Sequence, residues 1–204
     1  MAGPVKFNKT ALKAQRDSLR KYQSFLPILI LKKMQLQLVL RQLEPVIETR
    51  QRELIEALDK LKPHAALLGD PTVDIEDLLQ IEELRLQWDN VAGVATPEFE
   101  DVVFLVKPYP LFSTPGWLDI MLEALKRMIS IREELKVLRQ KEAILREELR
   151  TTTQRVNLFE KRLIPELKEN IRRIKIFLGD QETASVGWAK MAKSKLTVRE
   201  ATKS

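Results

Sequence analysis

Hydrophobic residues recur every seven positions in two long stretches of this chain, residues 8–68 and 115–179, and 46 residues unlike either lie between them. From Leu12 one series runs through Leu19, Leu26, Lys33, Leu40, Ile47, Leu54 and Leu61, with a single polar member. A companion series runs through Gln15, Tyr22, Leu29, Leu36, Leu43, Arg50, Ala57 and His64. Together they are the a and d positions of a left-handed seam, and so narrow a stripe needs a partner helix. The second stretch supplies one: Met121, Met128, Leu135, Glu142, Leu149, Val156 and Leu163, with Ala124, Ile131, Leu138, Leu145, Thr152 and Phe159 three positions later. At about 1.5 Å per residue each stretch is on the order of 90 Å long. Matched lengths predict that they fold back on each other as an antiparallel coiled coil; homodimerisation of each helix is the alternative. From Phe159 the apolar steps become fours, through Leu163, Leu167 and Ile171, a drift that unwinds a left-handed supercoil.

The expected molecule is mostly α, with four segments in one structural unit. Residues 1–68 form the first coiled-coil helix, 69–114 a central insert, 115–179 the second helix, and 180–204 a short helix and tail. Aromatic residues are scarce at 6% while charged residues reach 31%, the balance of long helices with solvated outer faces rather than of a spherical core. A rod is expected. Pro27, Pro45 and Pro63 are spaced by eighteen, five full turns, so they share one face and bend the first helix; Pro63 closes it. In the insert, Asp74 reads as the cap of a short helix through Glu83. Leu84, Leu86 and Trp88 alternate with polar residues as in a strand with one covered face, and Val102 to Val106 can pair with it or with Asn90 to Val94, with the turn near Pro97, giving a small β-hairpin. Thr114 and Pro115 read as cap and first residue of the second long helix, and Gly179 as its stop.

Net charge is +6, but it is divided along the chain. Residues 1–33 hold eight basic residues against one acidic, residues 161–204 eleven against five, and the remainder sixteen against twenty-three. An antiparallel hairpin sets the two basic ends side by side as a cationic tip that needs anionic surroundings.

Chemistry finds little footing in the sequence. Cysteine is absent and histidine occurs once, which excludes disulfides, thiolate metal sites and multi-histidine centres. His64 reads as a packing or capping residue. No phosphate loop, nucleophile elbow or zinc motif is present, and pairs such as Glu133-Glu134 and Glu147-Glu148 read as solvated helix exterior. The acidic run from Asp70 lacks the glycine and final glutamate of a calcium loop. Phe25 to Leu31, the strongest apolar run, is far short of a membrane span of about 20 residues. No catalytic residue, metal or cofactor is expected.

Arg155-Val156-Asn157, Glu160 and Leu163-Ile164-Pro165, within Thr152 to Pro165, resemble the signature of the D subunit of the V-type and archaeal-type rotary ATPases. Asn90-Val91-Ala92-Gly93-Val94 is similar to that family's Asn-Val-x-Gly-Val stretch, and Lys9 to Lys33 to its opening helix. The run from Phe25 to Leu31 replaces a more basic stretch, and Val186, Trp188, Lys190 and Lys193 stand where Phe and basic residues are usual, so the resemblance is to a divergent bacterial branch.

The resemblance implies a non-catalytic rotor shaft on the cytoplasmic side of the plasma membrane, conveying torque between ATP chemistry in the head and hydrogen-ion transport at the membrane ring. The paired ends enter a head of catalytic A and B subunits, and other parts bind the F subunit of the central stalk and the funnel-like subunit (C/d) seated on the ring. The hairpin is associated with regulation of hydrolysis. Lys6, Lys9, Lys13, Arg16, Arg20, Lys21, Trp188, Lys190, Lys193 and Lys195 are then the head-facing residues. Asn90, Gly93, Arg155 and Asn157 are the stalk-partner residues, although Val156 needs only packing and Asn90 and Gly93 suit turn geometry. Direct membrane insertion and nucleic-acid binding are not expected of it. The rival readings are a coiled coil that binds nucleic acid through its basic tip, and a homodimeric scaffold.

Overall fold

The computed structural model describes residues 6–64, 78–110 and 115–201. Helix α1 (Lys9–Leu61) is 53 residues long and closes in a 3-10 turn, Lys62–His64. Strands β1 (Leu79–Val91) and β2 (Val94–Val106) follow, then helix α2 (Leu118–Leu158), a π-helical turn (Phe159–Leu163) and helix α3 (Ile164–Ala201). The chain divides into two compact units, residues 1–31 with 153–204, and residues 32–152.

Asn8 starts α1 as its cap, its Oδ1 accepting from the Ala11 N–H at 2.6 Å. Pro27 and Pro45 leave the helix unbroken. Both are exposed, as are Gln23 and Arg41, whose carbonyls lose their helical donor, so water can satisfy those groups. Pro63 falls in the closing turn.

In the unit of residues 32–152, the seam is where the heptads place it. Leu36, Leu40, Leu43 and Ile47 of α1 pack with Leu135 and Leu145 of α2, and Leu36 and Leu145 have no exposed surface. Pairing is antiparallel: Lys32 Nζ lies 2.7 Å from Glu148 Oε1, and Arg50 Nε 2.9 Å from Glu134 Oε1. His64, at the end of the companion series, is exposed rather than packed.

A second buried face lies outside what the heptads mark. Leu118, Leu122, Glu133 and Val137 are buried on the side of α2 away from the seam. Glu133, expected on a solvated exterior, is thus a correction. Hairpin residues supply part of the cover on this helix pair: Asp89 reaches Lys141 at 3.8 Å, and Val91, Ala92 and Val94 pack on the α1/α2 core.

The sheet has two antiparallel strands of thirteen residues each. Leu79, Ile81, Leu84, Leu86 and Trp88 stand opposite Val106, Phe104, Val102, Phe99 and Pro97. Each series steps by two except once by three, and a bulge absorbs each long step, at Glu82 in β1 and Glu100 in β2. One face is therefore apolar throughout. It is not fully covered, contrary to expectation, for Leu86 is 37% and Trp88 65% exposed.

The turn is at Ala92-Gly93, not near Pro97, which lies inside β2 opposite Trp88. Ala92 (φ 52°) and Gly93 (φ 77°) are both left-handed, the requirement of a two-residue turn whose twist matches its strands. The short helix expected from Asp74 lies outside the described residues up to 77, and residues 79–83 are strand. Thr114 also lies outside them. Pro115 precedes α2 rather than opening it: the Leu118 N–H donates to its carbonyl, and Met121 N–H to that of Trp117. The Tyr109 hydroxyl donates to the Asp119 carboxylate, which ties the proline-rich connector to the first turn of α2 and raises the phenol's pKa.

In the unit of residues 1–31 and 153–204, Val156, Ile164, Ile171 and Ile174 of the C-terminal arm are buried. Tyr22 packs against Phe159 with centroids 4.8 Å apart and Phe7 against Phe177 at 5.3 Å, the ring planes tilted by 50° in each pair. The π turn sits where the apolar steps become fours. Its cause is in the sequence: Pro165 has no N–H for the Lys161 carbonyl and would crowd it, and the Ile164 N–H bonds five residues back to Phe159.

Gly179 does not end the helix, which runs on through Gly187 to Ala201. A helical glycine costs only about 1 kcal/mol relative to alanine, and the residues that follow include strong helix formers such as Ala184, Ala189, Lys190 and Met191.

Candidate functional site

Four of the predicted head-facing residues meet in the unit that contains both chain ends. Lys9, Lys13, Arg16 and Arg20 follow one side of α1 and, with Lys175 of α3, line a groove of about 570 Å³ floored by Leu12 and Leu178. Asp17 and Glu182 also line it, leaving five basic groups against two acidic. Glu182 lies 3.6 Å from Lys9 Nζ, with both side chains largely exposed, so this pair adds little stability.

Sequence reading misses Lys175, although its place beside Ile174 of the seam is a usable signal: residues flanking a heptad stripe face the partner helix. Arg172 and Arg173 lie near Glu169, and their hydrogen bonds, Arg173 first, hold its carboxyl below the ordinary range.

The remaining predicted residues do not line this groove. Lys6 and Lys21 are exposed at and along the start of α1. Trp188, Lys190, Lys193 and Lys195 follow on α3, all exposed, Trp188 at 69%. That stretch presents an indole and a run of cations on one helix.

The predicted stalk-partner residues fall in different units. Arg155 and Asn157 are exposed on α2 on either side of buried Val156, in the unit with the chain ends. Asn90 and Gly93 are exposed at the hairpin tip in the other. The Asn90 N–H donates to Asp89 Oδ1 at 2.7 Å, and Gly93 supplies a left-handed backbone, so both have a local task.

Glu133 shows how the second buried face accepts a charge. Burial pushes its pKa up, but hydrogen bonds from Lys136 at 2.8 and 2.9 Å and from Arg132 at 3.1 Å outweigh this and hold the carboxyl below the ordinary range. Among the described residues no group of three His, Cys, Asp or Glu is placed to hold a metal ion. No helix there is long and apolar enough to cross a membrane.

Within each unit helices pair antiparallel about a heptad seam, and a β-hairpin is inserted between α1 and α2, which defines the class as an α-helical coiled coil with a β-hairpin insert. The family model described as that of the ATP synthase D subunit matches residues 11–194. The chain is 38% identical over 192 residues to the V-type ATP synthase D subunit of Borreliella burgdorferi, covering 94% of this chain and 95% of that one. It is 34% identical over 203 residues to that of Chlamydia pneumoniae, with 98% and 97% covered. The chain belongs to the family of ATP synthase D subunits.

Proposed function

We propose that this chain is the rotor shaft in the central stalk of a V-type ATP synthase, conveying torque between the catalytic head and the ion-driven membrane ring. The observation that carries this reading is a family match over nearly the whole chain, on a molecule whose two ends pair within one unit. It is itself non-catalytic, ATP chemistry belonging to the head, and it works on the cytoplasmic side of the plasma membrane as a peripheral part of the complex. Mutually packed helices supply the stiffness that torque requires, and an asymmetric charged surface biases successive head positions between open and closed states.

The groove of Lys9, Lys13, Arg16, Arg20 and Lys175, with the cationic run around Trp188, faces the catalytic A and B subunits. Arg155 and Asn157, and the hairpin residues Asn90 and Gly93, face the F subunit of the stalk; the funnel-like subunit (C/d) joins the shaft to the ring.

Neither rival is favoured by the family match. A homodimeric scaffold needs free seam stripes, but in the unit of residues 32–152 the stripes are covered by pairing within the chain. The nucleic-acid reading rests on basic charge alone, which supports only nonspecific affinity, and the groove carries Asp17 and Glu182 among its cations.

Deleting Lys190 to Ser204 in a reconstituted complex tests the assignment. Assembly persists while hydrolysis uncouples from ion movement if this segment bears on the head; full coupling in the truncated complex contradicts it.

A further inference from the structure

The outer edge of β1 is a long strand edge without a sheet partner among the described residues. β1 pairs only with β2 among the described residues, although its thirteen residues are more than twice the usual strand length of about five or six. Nearly all of β1 is exposed, whereas β2 buries Thr96, Pro97 and Val102.

Proline fixes which backbone groups face outward. Pro97 has no N–H, so the Trp88/Pro97 pair stands where the strands exchange no hydrogen bond. By alternation the N–H and C=O of Leu86 and of Trp88 point away from β2. Asn90 has the same phase, and its N–H is taken up by Asp89 Oδ1; among the described residues, Leu86 and Trp88 have no such cover beside them.

Charge restricts what can bind there. Residues 79–106 hold six acidic residues and one basic, Arg85. A second copy would bring this acidic strand against its like, which disfavours self-pairing.

We propose that the free edge of β1 takes up an extended cationic segment of another protein chain as a third strand. Apolar side chains at alternate positions of that segment cover Leu86 and Trp88, and Lys or Arg between them meets the acidic face. Main-chain hydrogen bonds supply affinity and the alternation supplies specificity, as in strand addition generally. The shaft reading enters only in naming the source, another subunit of the same complex.

Two probes test this on the full-length chain. The first is a twelve-residue peptide alternating Lys and Val, set against the same peptide with its two central valines replaced by proline. The unbroken peptide slows amide exchange at Leu86 and Trp88 at least tenfold, and the proline peptide does not. Leu86→Pro, which removes an outward N–H, and Trp88→Lys, which removes apolar cover while leaving the backbone, each weaken binding at least tenfold. Equal binding of the two peptides, protection on the helices instead, or undiminished binding by Trp88→Lys overturns the proposal.

The second probe is a set of overlapping twelve-residue peptides from the other subunits. At least one binds the unaltered chain and not Leu86→Pro; a set in which none does overturns the proposal and leaves the shaft reading, tested by truncation, untouched.

Discussion

Leu36 and Leu145 have no exposed surface, and seven-residue spacing alone puts both in the seam. Replacing Leu145 with alanine removes packed methyl groups and leaves a cavity, at a cost of about 2–5 kcal/mol in urea unfolding. Ile120, 77% exposed, is the control, and its alanine variant changes stability by less than about 0.5 kcal/mol. Glu133 escapes the heptad pattern, which marks only the face turned to the partner helix, whereas α2 is also buried on its other side. Its depressed pKa has a signed consequence. The stability it contributes is present above the ordinary glutamate value of 4.5 and is lost as pH falls from there through its own lower value. Glu133→Gln therefore flattens the acid limb of a stability-against-pH curve in that window; an unchanged limb contradicts the assignment.

At the scale of elements, glycine separates what is legible in the sequence from what is not. Gly93 fits strand or turn geometry, yet Pro97 is the louder turn signal; the structure puts the reversal where two residues have positive φ. Gly179 looks like a stop and is not one. The same substitution should act with opposite sign at the two. Apart from chain neighbours and local helix backbone, nothing lies within 4 Å of where a Cβ would stand at either glycine, so local backbone conformation decides. Gly93→Ala destabilises by about 1–2 kcal/mol through the left-handed conformation. Gly179→Ala stabilises by about 0.5–1 kcal/mol through the helical one. Denaturant midpoints of the two variants moving the same way would contradict this account. Helix pairing is legible in the stripes, but its registration is not, since a heptad pattern tolerates slides of seven. Specific partners fix it: Lys32 with Glu148, Arg50 with Glu134, and Tyr22 with Phe159. The drift to steps of four is visible in the sequence; that a π turn ahead of Pro165 accommodates it is visible only in the fold.

At the scale of the whole molecule, function is legible through motifs, not chemistry. Heptads specify that helices pair; they do not say what the pair is for, and charge division alone fits a nucleic-acid binder as well as a shaft. The short run from Arg155 to Pro165 and the stretch from Asn90 to Val94 separate these readings, and the family match over residues 11–194 agrees with them. Of the residues proposed to face the head, Lys9, Lys13, Arg16 and Arg20 line one groove. Lys175 comes to it only through the fold. A complete absence of cysteine makes the central claim directly measurable. Ile120→Cys gives a unique, exposed attachment point for a bead on a complex immobilised by its head. The account predicts continuous rotation of the bead in one direction when ATP is supplied, stopping when ATP is withdrawn. A bead that stays still on complexes hydrolysing ATP at the full rate would contradict it.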